Sequence, residues 1–271
     1  MINEENRVSC VVFDWAGTTV DFGCEAPVGA FMKAFEQEGL PVSEAEARGP
    51  MGLPKRDHVR ELLKLERVSA LFAEKYGRAW TEEDVDRIYA ASVPALMAVL
   101  KDYCEPIPGV VETVAELRRM GLKIGSTTGY TKEMMDIVAP SAAARGYAPD
   151  SLVTPDETGA GRPAPYMIFR NMEKLGVYPP ANVVKAGDTL ADVREGKNAG
   201  VWSVGIIEGS SELGLSRDEC AALSTTERVG RFAAVRDRFY GAGADFVIDR
   251  ITELPKLIEQ INKLKSHQET K

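Results

Sequence analysis

Two apolar runs that end in aspartates and one lysine at a helix start are the residues of this chain best placed to do chemistry. Val11-Val12-Phe13 runs into Asp14 and then into Ala16-Gly17-Thr18-Thr19. Val183-Val184-Lys185-Ala186-Gly187 runs into Asp188, with Asp192 about one helical turn further on. A buried strand that feeds a carboxylate into a turn presents it at the carboxyl edge of a sheet, where α/β proteins bind ligands. Carboxylates gathered there repel one another unless a cation sits among them. Oxygen donors with room left for water suit Mg²⁺ better than Zn²⁺. Asp192 also fits the simpler task of capping its own helix.

A third strand end, Lys123-Ile124-Gly125-Ser126-Thr127-Thr128-Gly129-Tyr130, offers hydroxyls and free backbone N–H groups that could hold phosphate oxygens. Turns are rich in such residues for conformational reasons too. Gly161-Arg162-Pro163 sets a cation just before a helix start, where a solvated loop arginine is the plain alternative. Lys55 follows Met51-Gly52-Leu53-Pro54, and Pro54 suits a first helical turn. The positive helix terminus and Arg56 would both favour its neutral, nucleophilic amine. His58 lies on the same helix face and could pass protons. Without that context Lys55 reads as a surface lysine.

These residues need a scaffold, and the periodicity supplies one. Between Glu25 and Tyr103 only helical patterns occur: Pro27–Glu38, Pro54–Leu65, Ala70–Tyr76 and Thr81–Leu100, the last opened by the capping box Thr81-Glu82-Glu83-Asp84. From Ile107 onward strands and helices alternate. Strands are expected at Leu122–Thr127, Ser151–Val153, Val183–Ala186, Val201–Ile206 and Phe246–Ile248. Helices are expected at Val110–Met120, Lys132–Ala144, Tyr166–Leu175, Leu190–Ala199 and Glu253–Leu264. Such alternation implies a parallel sheet with helices on both faces. The strand before Asp14 must join it, so the helical stretch is an insertion lying over the strand ends. Glu208–Gly243 reads as a long excursion with one or two helices and no assigned chemistry. The Lys-rich end from Lys263 to Lys271 reads as a fraying tail.

With 271 residues, 44% hydrophobic and 27% charged, the chain has the make-up of an ordinary globular protein. A net charge of −8 argues against nucleic acid or an anionic membrane as partner. Cys10, Cys24, Cys104 and Cys220 are too scattered for a C-x-x-C pair and fit reduced, buried thiols in the cytoplasm. Met1 to Cys10 lacks the apolar core of a signal peptide, and no stretch has the length of a membrane span.

Taken in order, Asp14, Thr128, Arg162, Asp188 and Asp192 resemble the motif series of the haloacid dehalogenase (HAD) superfamily. The resemblance implies an α/β fold: a HAD-like, doubly wound (Rossmann-like) parallel sheet core (1–22 and 104–271) with an inserted helical cap domain (23–103). It implies that Asp14 attacks phosphorus and that Arg162 neutralises the phosphoryl group. Most phosphatases of the superfamily carry a second acid two positions after the nucleophile, to protonate the leaving oxygen. Here that position is Ala16. A leaving group that needs no such proton would reconcile the two. A C–P bond qualifies if the departing carbanion is delocalised into an iminium formed by a lysine and an aldehyde. Asp14-Trp15-Ala16-Gly17-Thr18, Met51-Gly52-Leu53-Pro54-Lys55 with His58, and Thr127-Thr128-Gly129-Tyr130 look like the phosphonatase branch.

The resemblance implies hydrolysis of phosphonoacetaldehyde to acetaldehyde and phosphate, through a Lys55 Schiff base and an Asp14 aspartyl phosphate. It implies Mg²⁺ held by Asp14, the Ala16 carbonyl and Asp188, with Asp192 assisting. Thr128 and Arg162 would hold the phosphate, while Cys24, Met51, Gly52, His58, Gly129 and Tyr130 shape the pocket. It also implies a homodimer joined through the cap domains. Two other readings stay open at this stage: a Mg²⁺-dependent phosphatase or phosphomutase acting on small phosphate esters, and a non-catalytic binding protein on the same core.

Overall fold

Six short strands pair in parallel into one sheet, in the order β3-β2-β1-β4-β5-β6, in a computed structural model that describes residues 7–268. They are β1 (Cys10–Phe13), β2 (Lys123–Thr127), β3 (Ser151–Val153), β4 (Val183–Gly187), β5 (Trp202–Ile206) and β6 (Phe246–Ile248). Central β1 is wholly buried, and its Cys10-Val11-Val12-Phe13 run matches the continuous apolar pattern of a strand covered on both faces. It pairs with β2 on one side, Phe13 opposite Ser126, and with β4 on the other, Phe13 opposite Ala186. The strand order reverses across this β1–β4 pair, so a crevice opens at their carboxyl ends. The doubly wound α/β class expected from the sequence is the fold observed.

Between β1 and β2 the chain forms a helical layer: α1 (Glu25–Gln37), α2 (Glu44–Arg48), α3 (Lys55–Lys64), α4 (Glu66–Tyr76) and α5 (Glu82–Val99). The layer has its own apolar cluster, with Phe31, Phe35, Leu62, Phe72 and Ile88 buried in it. The main cluster lies under the sheet around Phe13, Trp15, Ile124, Tyr147 and Ile258. Around the sheet lie α6 (Val110–Arg119), α7 (Lys132–Ala143), α8 (Tyr166–Leu175), α9 (Leu190–Ala199), α10 (Arg217–Ala222), α11 (Thr225–Gly241) and α12 (Leu254–Gln268).

The helical expectations hold in type and differ at the edges. Thr81 caps α5 as its motif predicts, its N–H donating to Asp84 Oδ2 at 2.9 Å. Helix α4 starts four residues before the predicted Ala70, and α2 lies in a stretch with no predicted element. A five-residue helix shows too little periodicity to detect, although Ser43 and Glu46 form its capping box. The excursion after β5 contains two helices, α10 and α11. The expected tail does not begin at Lys263. Helix α12 continues to Gln268, and Lys265 is buried with its Nζ donating to Ala181 O and Asn182 Oδ1, both at 2.6 Å. The rest of that predicted tail, from Glu269, lies outside the described residues. All four cysteines are free and buried, and no helix among the described residues is long and apolar enough to cross a membrane.

Candidate active site

Asp14 sits one residue beyond β1, its backbone N–H donating to Ala186 O of β4 at 3.0 Å, so the two strand ends are tied where the acids emerge. Asp188 follows β4, and Asp192 lies in the first turn of α9. Ligand oxygens of the three lie within 4.8 Å of one another, and all three residues are buried. Thr18 Oγ1 donates to Asp188 Oδ1 at 2.8 Å, and the N–H of Ser211 to Oδ2 at 2.9 Å. Gly17 has φ +89°, and a Cβ there would lie 2.2 Å from Asp188 Oδ2, so only glycine lets the turn approach so closely. Burial, followed by the charges of Asp14 and Asp192, pushes the Asp188 carboxyl well above the usual carboxylate range.

Behind the acids lies a closed ionic network. Arg162 Nη2 donates to Asp14 Oδ1 and to Thr127 Oγ1, both at 2.7 Å, and Nε donates to Glu195 Oε2 at 3.0 Å. Its Nη1 lies 3.1 Å from Asp192 Oδ1. Lys185, wholly buried in β4, reaches Asp192 Oδ1 at 2.8 Å and Thr127 Oγ1 at 2.8 Å. Asp192 also caps α9, accepting from Thr189 Oγ1 at 2.5 Å, so both roles considered for it are structurally compatible. Two cations thus face four buried carboxylates: Asp14, Asp188, Asp192 and Glu195. With all four ionised the cluster is two positive charges short, and without a cation the neighbouring acids help to hold a proton on Asp188. Its open corner is the all-oxygen Asp14–Asp188 side. That donor set and deficit fit one hard divalent cation.

The helical layer brings a different chemistry to the same place. One cavity of about 10 Å³ is lined by Asp14, Ala16, Cys24, Gly52, Lys55, Thr128, Gly129, Tyr130, Arg162 and Thr189. That is space for little more than a water molecule. Lys55 is buried, with Nζ 4.7 Å from the Tyr130 ring centroid and 5.9 Å from that of Phe31. Its pKa is lowered, by burial first. The Cys24 thiol would oppose that shift if ionised, but its own burial holds it neutral, well above its ordinary value. Arg56, the neighbour expected to help, points away: its guanidinium lies 2.9 Å from Glu82 and 2.5 Å from Asp86. Desolvation, not that neighbouring charge, favours the neutral amine.

His58 is buried behind Lys55, stacked on Phe31 at 4.1 Å between centroids. Burial and then Lys55 push its pKa well below the ordinary value. Neither ring nitrogen makes a hydrogen bond, although the Ala47 backbone is near enough to favour the protonated ring slightly. Cys24 Sγ approaches Met51 Sδ at 3.9 Å.

Comparison with known proteins separates branches of the fold that geometry alone leaves together. Residues 8–200 match the family model of haloacid dehalogenase-like hydrolases. A phosphonoacetaldehyde hydrolase of Bacteroides fragilis is 52% identical over 261 residues, covering 96% of this chain and 99% of its own. Another, from Bacillus cereus, is 49% identical over 257 residues, covering 95% and 97%. This chain belongs to the phosphonoacetaldehyde hydrolase family. It is a hydrolase of the HAD superfamily. A crystal structure of a phosphonoacetaldehyde hydrolase-like protein from Oleispira antarctica superposes with a TM-score of 0.93 at 37% identity, covering 96% of this chain and 94% of that one.

Within this family member, most residues singled out from the sequence converge. Asp14, Ala16, Cys24, Gly52, Lys55, Thr128, Gly129, Tyr130 and Arg162 line one cavity. Asp188 and Asp192 join Asp14 in the acid cluster. Met51 and His58 are not in the cavity wall: Met51 backs Cys24 and His58 backs Lys55 by way of Phe31. Sequence reasoning missed Thr18, Thr127, Lys185, Thr189, Glu195 and Ser211. A lysine inside an apolar strand was the one available signal, since a buried ammonium requires buried partners.

Proposed function

We propose that the chain hydrolyses the C–P bond of phosphonoacetaldehyde, giving acetaldehyde and phosphate. The observation that carries the reading is a buried Lys55, shifted toward its neutral form, in one small cavity with Asp14 and with Ala16 where a leaving-group acid would stand. That combination suits a bond whose electrons leave toward carbon.

Lys55 Nζ attacks the aldehyde carbon, water departs, and a protonated imine remains. An Asp14 oxygen then attacks phosphorus while the C–P electrons flow into the imine, leaving an enamine on Lys55 and an acyl phosphate on Asp14. Water releases phosphate and regenerates Asp14. Protonation of the enamine carbon and hydrolysis of the imine release acetaldehyde. Arg162, anchored by Glu195 and Thr127, fixes the attacking carboxylate through Oδ1. Thr128 Oγ1 accepts from the Tyr130 N–H at 3.0 Å, which leaves its own proton for a phosphoryl oxygen. Tyr130 and Cys24 stay neutral, held far above their ordinary pKa by burial, and keep the imine end apolar. His58 stays a neutral imidazole packed on Phe31 behind Lys55 and acts as a positioning residue for the lysine side of the cavity. The segment 23–103 acts as a cap that closes over the core.

Asp14, Asp188 and the Ala16 carbonyl, with Asp192 beside them, would hold Mg²⁺. When bound, it supplies the charge that lets an anionic nucleophile approach an anionic phosphonate. The dimer through the cap domains belongs to the same reading and is checked by sedimentation velocity.

Borohydride reduction in the presence of phosphonoacetaldehyde, followed by peptide mass analysis, tests the imine. The expected adduct is on Lys55, and Lys55→Met loses both adduct and turnover, by about 10³-fold or more. Turnover with Lys55 unmodified sinks the mechanism.

A further inference from the structure

The stretch after β5, to which the sequence assigns no chemistry, begins with a loop that touches both the acid cluster and the root of the helical layer. The Ser211 N–H donates to Asp188 Oδ2 at 2.9 Å. Two residues earlier, Gly209 O accepts from the Gly23 N–H at 2.7 Å, where the chain enters the helical layer. The far end of the loop returns to the same point: a Cβ on Gly23 would lie 2.6 Å from Leu215 O. Helix α2 completes the contact. Arg48 Nη1 donates to Gly23 O at 2.5 Å, and its Cδ would meet a Cβ on Gly214 at 3.2 Å. The root itself is constrained, with non-glycine Asp21 and Cys24 both at φ 55° beside Gly23 at φ 82°.

Leu213 and Leu215 pack into the apolar cluster formed with α11, but the loop is not packed on every side. A cavity of about 740 Å³ lies against it, lined by Arg48, Ser211, Gly214 and Arg238 among others. The Ser211 hydroxyl is buried without a hydrogen-bond partner, so among its polar groups the backbone amide is the one in use.

We propose that the Gly209–Leu215 loop positions Asp188 according to how the helical layer is seated, so that docking of the layer sets the cluster's affinity for its cation. The carboxylate is gripped at two points, by Thr18 from the nucleophile turn and by Ser211 from the loop. The second grip is two residues from the Gly209–Gly23 bond and moves with it. When Gly23 swings with the layer, the Ser211 amide is displaced and Asp188 is free to turn away. By reciprocity, cation binding favours the docked layer. Ser211 and Arg48 are positioning residues here, since neither touches the cation. The inference rests on Asp188 being a metal ligand.

Calorimetric titration of the purified full-length protein with Mg²⁺, without substrate, tests it. Ser211→Pro removes the amide hydrogen and is expected to weaken binding roughly 10-fold or more, the usual effect of losing an outer partner of a ligand. Ser211→Ala keeps the amide and stays within about twofold of wild type by the same reasoning. Arg48→Ala, remote from the acids, weakens binding by about 5-fold, a typical coupling between sites. Hydrogen exchange over residues 23–49 slows when Mg²⁺ is added to wild type. Should Ser211→Pro not fold, Arg48→Ala and the exchange measurement decide. Wild-type affinity in Arg48→Ala, equal losses in the alanine and proline variants, or exchange indifferent to Mg²⁺ would each overturn the proposal. Asp188→Asn separates the two levels. If it binds Mg²⁺ like wild type, the metal reading itself fails and this one falls with it.

Discussion

Asp14, Asp188 and Lys55 could be picked out of the sequence because each interrupts a local pattern. The aspartates end apolar strands, and the lysine follows a Gly-Leu-Pro turn. Lys185 and Glu195 could not be found that way, because their significance is only pairwise. Lys185 projects from a strand and Glu195 from a helix interior, and just the fold brings them to 3.3 Å, with Glu195 Oε2 also holding Arg162 and Thr127. Removing one member of such a network strands its buried partners, whereas removing an ion pair together costs much less. Glu195→Gln is therefore expected to lower unfolding free energy by about 3 kcal/mol in urea titrations. The double variant Lys185→Met/Glu195→Gln should lose clearly less than the two single losses added together. Strict additivity would show that Lys185 and Glu195 do not act as a unit.

At the level of elements, the longer helices were legible in type and order, because amphipathic segments of 10 to 18 residues carry a strong period, reinforced in α5 and α9 by capping boxes; five-residue α2 was not legible. Nor was the way α1 is started. Its first turn is capped by Asp21, four residues upstream, which accepts from the N–H of Glu25 at 2.9 Å and of Ala26 at 3.2 Å. Cys24, not a capping type, occupies the usual N-cap position. Burial, only partly offset by these two bonds, pushes the Asp21 carboxyl up to about 7. The sign of the consequence follows from proton binding. Between the unfolded value, about 3.9, and 7 the native state holds more protons than the unfolded one, so stability falls as pH rises through that window and levels off above it. Integrated over the window this amounts to about 4 kcal/mol at most. Asp21→Asn keeps one capping acceptor without the charge. It should flatten the pH 4–7 slope of Tm and match or exceed wild type at pH 8. A slope unchanged in the variant would show that another group titrates there.

For the whole molecule, the decisive contact is the seam between helical layer and sheet, which no single motif encodes. Three glycines line it. A Cβ on Gly52 would lie 2.2 Å from Thr189 Oγ1, one on Gly161 2.4 Å from Pro54 Cγ, and one on Gly129 2.6 Å from Leu53 O. The seam closes tightly enough to leave a cavity of about 10 Å³, which no substrate larger than water could enter without the layers parting. Lys55 belongs to one side of the seam and Asp14 to the other. Under the proposed mechanism, imine formation would need only the helical layer, while C–P cleavage would need both sides in register. Gly129→Ala tests that division. Gly129 lacks the positive φ of Gly52, so an added methyl strains nothing in its own backbone and acts only by wedging against the Leu53 carbonyl. A displacement of this size is expected to lower kcat by about 10- to 100-fold. Tm should fall, because the methyl forces backbone apart at the seam, while both layers stay folded, since their apolar clusters do not include Gly129. Borohydride should still trap Lys55, but with the phosphonate intact on the adduct, whereas wild type yields the two-carbon adduct after cleavage. Equal loss of trapping and cleavage would mean that the seam governs access to Lys55 and not its register with Asp14.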